Sequence, residues 1–187
     1  MTIAVLGGSF DPPHLGHHWV VKQILEKRKD IEKILLIPVN KHQWKDVLAS
    51  EEDRLDMLSE FVQPSIELSD IEIKRPGISY TEDTLRELKK KYSKIFWIVG
   101  SDILNEYKKW DKKDEILNLA TLLVFPRDPY LLPEVLPHGF ESLKNKDLIT
   151  SNISSSAIRN RIAQNLPIKN FVTPRVEELI RSKGLYR

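Results

Sequence analysis

The stretch TIAVLGGSFDPPHLGHHWVVKQIL, residues 2–25, decides how this chain is read. Thr2 to Gly7 is a short apolar run of strand character; after a turn, Val20, Val21, Ile24 and Leu25 recur at helical spacing and give way to the charged EKRKD. A strand-to-helix connection of this kind needs about two to six residues and no particular chemistry. The one between Gly7 and His18 carries glycines, two prolines, an aspartate and three histidines. Gly7 and Gly8 let a ligand approach the backbone closely, while Pro12 and Pro13 stiffen the chain. With a helix starting near Gly16, His14 sits in the loop and His17 in the first turn, so both imidazoles can face one pocket.

Outward from this stretch the alternation of strand and helix continues. KILLIPV (33–39) reads as a second strand, and SEEDRLDMLSEFV (50–62) as a helix capped by Ser50, with acids in its first turn and Leu55, Leu58 and Val62 on one face. SIELSDIEIKR (65–75) holds one or two short strands, TEDTLRELKKKY (81–92) a third helix and KIFWIVG (94–100) a strong strand. KKDEILNLA (112–120) is helical, TLLVFPR (121–127) is the last core strand, DPYLLPEVLPHGF (128–140) is Pro-rich and irregular, and two further helices span 155–164 and 174–183. Continuously apolar strands separated by helices imply an α/β fold with a mostly parallel sheet covered on both faces.

Composition excludes several classes. A chain of 187 residues with 41% hydrophobic content can build one compact core. Its 29 Lys plus Arg against 27 Asp plus Glu leave a charge of +2, so the global field points neither toward nor away from nucleic acid. The absence of cysteine excludes disulfides and thiolate metal sites and fits a reducing cytoplasm. No apolar window approaches about 18 residues and neither end offers a secretory core, so a soluble, cytoplasmic protein is expected.

In an open parallel sheet, ligands bind beyond the C-terminal ends of the strands, where helix N-termini offer free N–H groups to anions. The turn from Gly7 to His18 lies on that rim. Its histidines admit three readings: surface or capping residues; a metal site built from His14, His17 or His18 with Asp11; or donors to a polyphosphate, whose oxygens hold imidazole N–H groups more strongly as negative charge develops. GGSFDP matches neither G-x-G-x-x-G nor G-x-x-x-x-G-K-[ST]. A second phosphate candidate, ISSSAIRNRI (153–162), puts Ser154, Ser155 and Ser156 at a helix start and Arg159 one turn later. Hydroxyls, N–H groups and a planar guanidinium can converge there on one anion, although a plain serine cap before a solvated arginine accounts for the same letters.

Taken together, the two segments carry a resemblance. GGSFDPPHLGH resembles the G-x-F-D-x-x-H-x-G-H signature of the nucleotidyltransferases with a His-x-Gly-His motif, and ISSSAIR resembles their later I-S-S-T-x-I-R phosphate motif. Within that superfamily the chain resembles the bacterial nicotinate-mononucleotide adenylyltransferases from Ile3 to Tyr186. SYTEDTLREL (79–88) is similar to their S-Y-T-x-D-T-L segment, VGSDILNEYKKW (99–110) to their G-A-D-x-L…W region, and VTPRVEELIRSKGLY (172–186) to their closing segment.

The resemblance implies a Rossmann-like, doubly wound sheet of five or six strands in a single domain, residues 1–187, whose helical part from 150 to 187 completes the ATP site. It implies an adenylyltransferase of NAD biosynthesis that condenses ATP with nicotinate mononucleotide, giving deamido-NAD and pyrophosphate by in-line attack on the α-phosphate. Gly7, Gly8, Ser9, Phe10, His14, Gly16, His17, Ile153, Ser155, Ser156 and Arg159 would bind ATP, with His17, His14 and Arg159 catalytic and His17 nearest the reacting phosphate. Ser9, Phe10, Lys45, Tyr80, Thr81, Gly100, Asp102 and Trp110 would bind the mononucleotide, Thr81 at the ring substituent and Trp110 stacked on the pyridine. On pattern alone Trp110 is equally a core aromatic in a stripe with Leu104 and Tyr107, and Lys45 and Thr81 are equally solvated. Mg²⁺ would be held mainly by the ATP phosphates, with no protein ligand assigned. The expected partners are ATP and a pyridine mononucleotide, not nucleic acid or membrane, with homo-oligomerisation left open.

Two departures from the family pattern bear on substrate choice. PVNKHQWK (38–45) stands where the family usually has P-x-x-x-P-P-H-K, which keeps Lys45 on a less rigid loop, and Lys113 replaces a second tryptophan. A nicotinamide-mononucleotide or dual-specificity enzyme, a pantetheine-phosphate adenylyltransferase and a cytidylyltransferase would share the His-x-Gly-His chemistry. A non-catalytic nucleotide binder is the alternative from another class.

Overall fold

Every long strand of this protein is apolar along its length because helices cover both faces of the sheet. The computed structural model describes residues 1–110, 112–143 and 147–187. β1 (Thr2–Gly8) leads through α1 (Leu15–Lys27) to β2 (Lys33–Pro38) and through α2 (Glu51–Ser59) to β3 (Ile66–Leu68). The chain then crosses back through α3 (Thr81–Lys89) to β4 (Lys94–Gly100), and α4 (Lys113–Leu119) precedes β5 (Thr121–Phe125) and β6 (Phe140–Ser142). α5 (Ser155–Ala163) and α6 (Pro174–Lys183) follow. All neighbouring strands are parallel, in the order β3-β2-β1-β4-β5-β6, so the fold is a Rossmann-like, doubly wound α/β sheet.

Alternation along each strand divides the core. Ala4, Leu36, Phe96 and Leu123 face Val21 and Ile24 of α1 and Leu58 of α2, whereas Val5, Leu35, Trp97 and Leu122 face Leu85 and Leu88 of α3 and Ile116 of α4. A third apolar cluster joins Met57 of α2 to Ile158 of α5 and to Val176, Leu179 and Ile180 of α6. That contact brings the serine-rich start of α5 back to the end of β1. Local signals agree with it: Ser154 Oγ accepts from Ala157 N at 3.2 Å, Thr173 Oγ1 accepts from Val176 N at 3.3 Å before Pro174, and Gly184 closes α6 at φ 64°.

Three sequence expectations change. The sheet does not end with residues 121–127: Phe140 pairs with Leu122 and adds β6 as an edge strand. Three residues leave no periodic trace, and the strand is held by Phe140, buried and edge-on to Tyr107 with ring centroids 4.8 Å apart. Residues 65–75 yield one strand, within the expected one or two, and 71–75 turn so that Glu72 points inward to Thr84. α2 and α3 stop before 62 and 92, where Phe61 N and Lys90 N bond three residues back, to Leu58 O and Glu87 O, and unwind the α-helical ladder. No helix among the described residues is long and apolar enough to cross a membrane.

Candidate active site

The chain begins in the middle of the sheet and winds outward in both directions from β1 and β4, which makes the gap beyond Gly8 and Gly100 the topological switch point. Gly7 is required by packing: a Cβ there would lie 2.8 Å from the buried Trp97 ring. At Gly100 a Cβ would fall 2.3 Å from Asp102 Oδ1, so glycine lets that carboxylate fold back over the strand end. Phe10 adopts φ 49°, a left-handed conformation that costs a bulky residue about 1–2 kcal/mol, and burial of its ring holds it there.

The loop from Ser9 to Pro12 is gripped from several sides. Arg54, buried in α2, donates through Nη1 to Ser9 O at 3.0 Å and to Val39 O at 2.8 Å, joining the exits of β1 and β2. Asp11, 1% exposed, accepts from Leu48 N at 2.8 Å, Ala49 N at 3.0 Å and the Tyr186 hydroxyl at 2.7 Å. From α5, Arg159 Nη1 donates to Asp11 O at 2.7 Å and Ser155 Oγ to Pro12 O at 2.8 Å. Asp11 is therefore a closed structural post, which removes the metal-site reading that paired it with the histidines.

His14 is the N-cap of α1, Gly16 its second residue and His17 its third. The two imidazoles stack with centroids 3.7 Å apart, and the Phe10 ring meets His17 edge-on at 4.8 Å. The main-chain N–H of His14 donates to His17 Nδ1 at 3.2 Å, so the neutral His17 ring carries its hydrogen on Nε2. Burial, with a contribution from the Arg127 charge, pulls His14 down to about 3; burial, then His14 and Arg127, hold His17 well below the usual imidazole range. Both rings are neutral donors at physiological pH. His18 points elsewhere, 5.3 Å from the Phe61 ring.

That neutrality has a cost at low pH. Below about pH 6.5 the unfolded chain binds a proton at His14 that the folded chain refuses down to about pH 3, so stability falls as pH falls through this window, by up to about 1.4 kcal/mol per unit. Above the window the histidine contributes no slope. Urea midpoints measured from pH 7.5 to 4.5 should fall less steeply for His14→Gln than for the parent chain; parallel curves would refute the buried neutral ring.

The remaining candidates lie around this centre. Ser156 Oγ accepts from Arg159 Nη2 at 3.3 Å, and Ile153 packs half-buried on the third cluster just before the cap of α5. Asp102 follows β4 and faces Arg127 Nη1 at 3.4 Å. Tyr80 caps α3 and Thr81 is its first residue. Lys45 lines a groove of about 710 Å³ with Asn40, Lys41, His42 and the start of α2. Trp110 packs half-buried against the core face shared with Tyr107 and Leu104. No hydrogen bond or ring contact among the described residues ties Lys45, Thr81 or Trp110 to the histidine pair.

Two site residues escaped sequence reasoning. Arg127 stands just past β5, a strand-end position that faces the rim, and its charge reaches both histidines. Arg54 occupies the apolar stripe of α2 one turn before Leu58, and a charged residue on a buried helical face was the available signal.

Comparisons with known proteins bear on the family and the fold. The cytidylyltransferase-like family model matches residues 5–161. A protein of Fusobacterium nucleatum named "Probable nicotinate-nucleotide adenylyltransferase" is 38% identical, covering 98% of each chain, and one of Shouchella clausii with the same name is 37% identical over 98% of this chain and 96% of its own. The nicotinic acid mononucleotide adenylyltransferase of Plasmodium falciparum, solved in complex with NaAD, superimposes with a TM-score of 0.83 over 99% of this chain and 97% of its own; at 20% identity that likeness concerns the fold. With a family model matched over most of its length and such relatives spanning nearly all of it, the chain belongs to the nicotinate-nucleotide adenylyltransferase family within the cytidylyltransferase-like nucleotidyltransferases.

Proposed function

We propose that this protein transfers the adenylyl group of ATP to nicotinate mononucleotide in NAD biosynthesis, as a soluble cytoplasmic enzyme whose partners are these two nucleotides and not nucleic acid. The observation that carries the reading is the convergence, on one rim, of a stacked neutral histidine pair from α1 with Ser155 and Arg159 from α5. The names of the relatives support the choice of acceptor.

In this reaction an anionic 5′-phosphate oxygen of the mononucleotide bonds to the α-phosphorus of ATP as the bond to the bridging oxygen breaks and pyrophosphate leaves with the electron pair. The nucleophile is already ionised near neutral pH, so no protein base is needed. Catalysis rests on in-line positioning and on donors aimed at developing charge. His17, with its hydrogen on Nε2, donates to the α-phosphate; His14 stacks behind it; Arg159 and Ser156 hold the departing pyrophosphate. Gly7, Gly8, Ser9, Phe10 and Gly16 shape the ATP side, and Lys45, Tyr80, Thr81, Gly100, Asp102 and Trp110 the acceptor side. The helical part from residue 150 onward completes the site from across the chain. Protein carboxylates do not fit a Mg²⁺ cage: Asp11 is closed by three donors, Asp102 faces Arg127, and among the described residues no three His, Asp or Glu side chains gather as a metal site. We therefore assign Mg²⁺ to the phosphates of ATP.

The ring pocket should favour the acid over the amide. Lys108, Lys109 and Lys113 supply positive potential beside Trp110, while Lys112 is neutralised by Glu82 at 2.9 Å; Asp111, the offsetting charge in the sequence, lies outside the described residues. An amide N–H₂ left unpaired in a closed site costs about 1–3 kcal/mol, so nicotinate mononucleotide should win by about tenfold or more in kcat/KM. Pyrophosphate release measured with nicotinate mononucleotide, nicotinamide mononucleotide, a cytidylyltransferase acceptor and phosphopantetheine, at one ATP and Mg²⁺ concentration, tests both levels. Parity of the two pyridine nucleotides would overturn the selectivity, and activity with another acceptor alone would overturn the assigned reaction.

A further inference from the structure

We propose that Glu72 is a positioning residue that braces the Lys45 loop against the start of α3 and thereby sets affinity for the mononucleotide; the substrate half of this inference rests on the function proposed above. Glu72 is 3% exposed and lies in the turns between β3 and α3, remote from the histidines in sequence and used by no step of the transfer. Its carboxylate accepts from Thr84 Oγ1 of α3 at 2.7 Å and from the Ser79 hydroxyl. Each hydroxyl in turn accepts from another segment: Ser79 Oγ from Asn40 N at 2.9 Å, Thr84 Oγ1 from Arg75 Nη1 at 3.1 Å. Asn40 Nδ2 closes the circuit by donating to Arg75 O at 2.7 Å, and Ser79 N donates to Lys41 O at 3.0 Å. The ring joins the exit of β2, where the loop carrying Lys45 begins, to the residues that precede Thr81.

The chemistry of the ring favours a carboxylate at its centre. Both hydroxyl oxygens already receive a hydrogen, and Thr84 turns its own to Glu72 at 2.7 Å in preference to Tyr80 O at 3.4 Å, so the two carboxylate oxygens give each hydroxyl an acceptor of its own. Glutamine has the same shape but one acceptor, and its N–H₂ would confront a hydroxyl already committed as donor. Burial pushes the Glu72 carboxyl pKa up, and the two hydroxyls and Arg75 oppose that shift. Lys45 follows the braced Asn40–Lys41 segment and Thr81 follows Ser79, so the separation of the two, which a mononucleotide bridging phosphate and ring must match, depends on the brace.

Two readouts test the brace separately from the reaction. In Glu72→Gln, amide hydrogen exchange at Asn40, Lys41 and Ser79 should quicken by about tenfold while β1 and β4 amides keep their rates. The KM for nicotinate mononucleotide should rise by about tenfold, with kcat and the KM for ATP within about twofold of the parent. Ser79→Ala, which cuts the same ring from its other side, should give the same split, and the double variant should add little more. Unchanged exchange at Asn40 and Ser79 would overturn the brace, and an equal rise in both KM values would overturn its selective role. Faster exchange in the variant, together with a parent enzyme inert toward both pyridine mononucleotides, would uphold the brace and overturn the functional reading instead.

Discussion

His17→Ala should lower kcat by about 10² or more while ATP affinity falls far less. The ring is fixed on three sides: His14 N–H on Nδ1, the His14 face at 3.7 Å and the Phe10 edge at 4.8 Å. Fixing Nδ1 as the acceptor leaves Nε2–H as a preoriented donor, and burial keeps the ring from adding a second, competing protonation state. A donor that is already in place when charge develops on the α-phosphate stabilises the transition state more than the ground state, which separates kcat from binding. Steady-state kinetics beside ATP affinity, on protein with the parent's circular dichroism, decide the matter. A kcat within about threefold of the parent would remove His17 from the centre of the chemistry.

Arg54→Met should destabilise the fold by about 3 kcal/mol, the second large effect. One nitrogen, Nη1, satisfies the carbonyls of both Ser9 and Val39, and Nε has no partner, so the guanidinium is held for those two bonds and for its field beside Asp11. Methionine fills similar space but strands both part-buried carbonyls and removes one of the two cations, Arg54 and Arg159, that stand beside the Asp11 carboxylate. The urea midpoint should drop with little change in slope. Turnover should fall as well, because Phe10 holds its left-handed conformation only while the chain on either side is pinned. A loss below about 1 kcal/mol would show that water reaches Ser9 O and Val39 O and that the arginine is no keystone.

Each of these effects traces to a contact of a different range. The histidine pair is local: residues 14 and 17 meet because a helix starts between them, and spacing alone announces it. The grip on Asp11 is not: Leu48, Arg159 and Tyr186 lie 37, 148 and 175 residues away. Arg127 and β6 belong to the same class, as does the Glu72 ring, whose members are individually unremarkable polar residues of turns and helix surfaces.

The sequence by itself determined the alternation of strands and helices, the parallel sheet buried on both faces, the rim position of the His14–His17 turn and the serine-capped helix start that carries Ser155 and Arg159. These follow from periodicity, capping and turn chemistry, which act within about a dozen residues and so leave a mark in the order of letters. Only the tertiary structure decided that Asp11 is a post and not a metal ligand, that Gly7 answers to Trp97, that Arg54 is a buried clamp and that a three-residue strand closes the edge. Those depend on which distant donors and side chains arrive beside a given atom, and contacts between residues far apart in the chain impose no period on either segment.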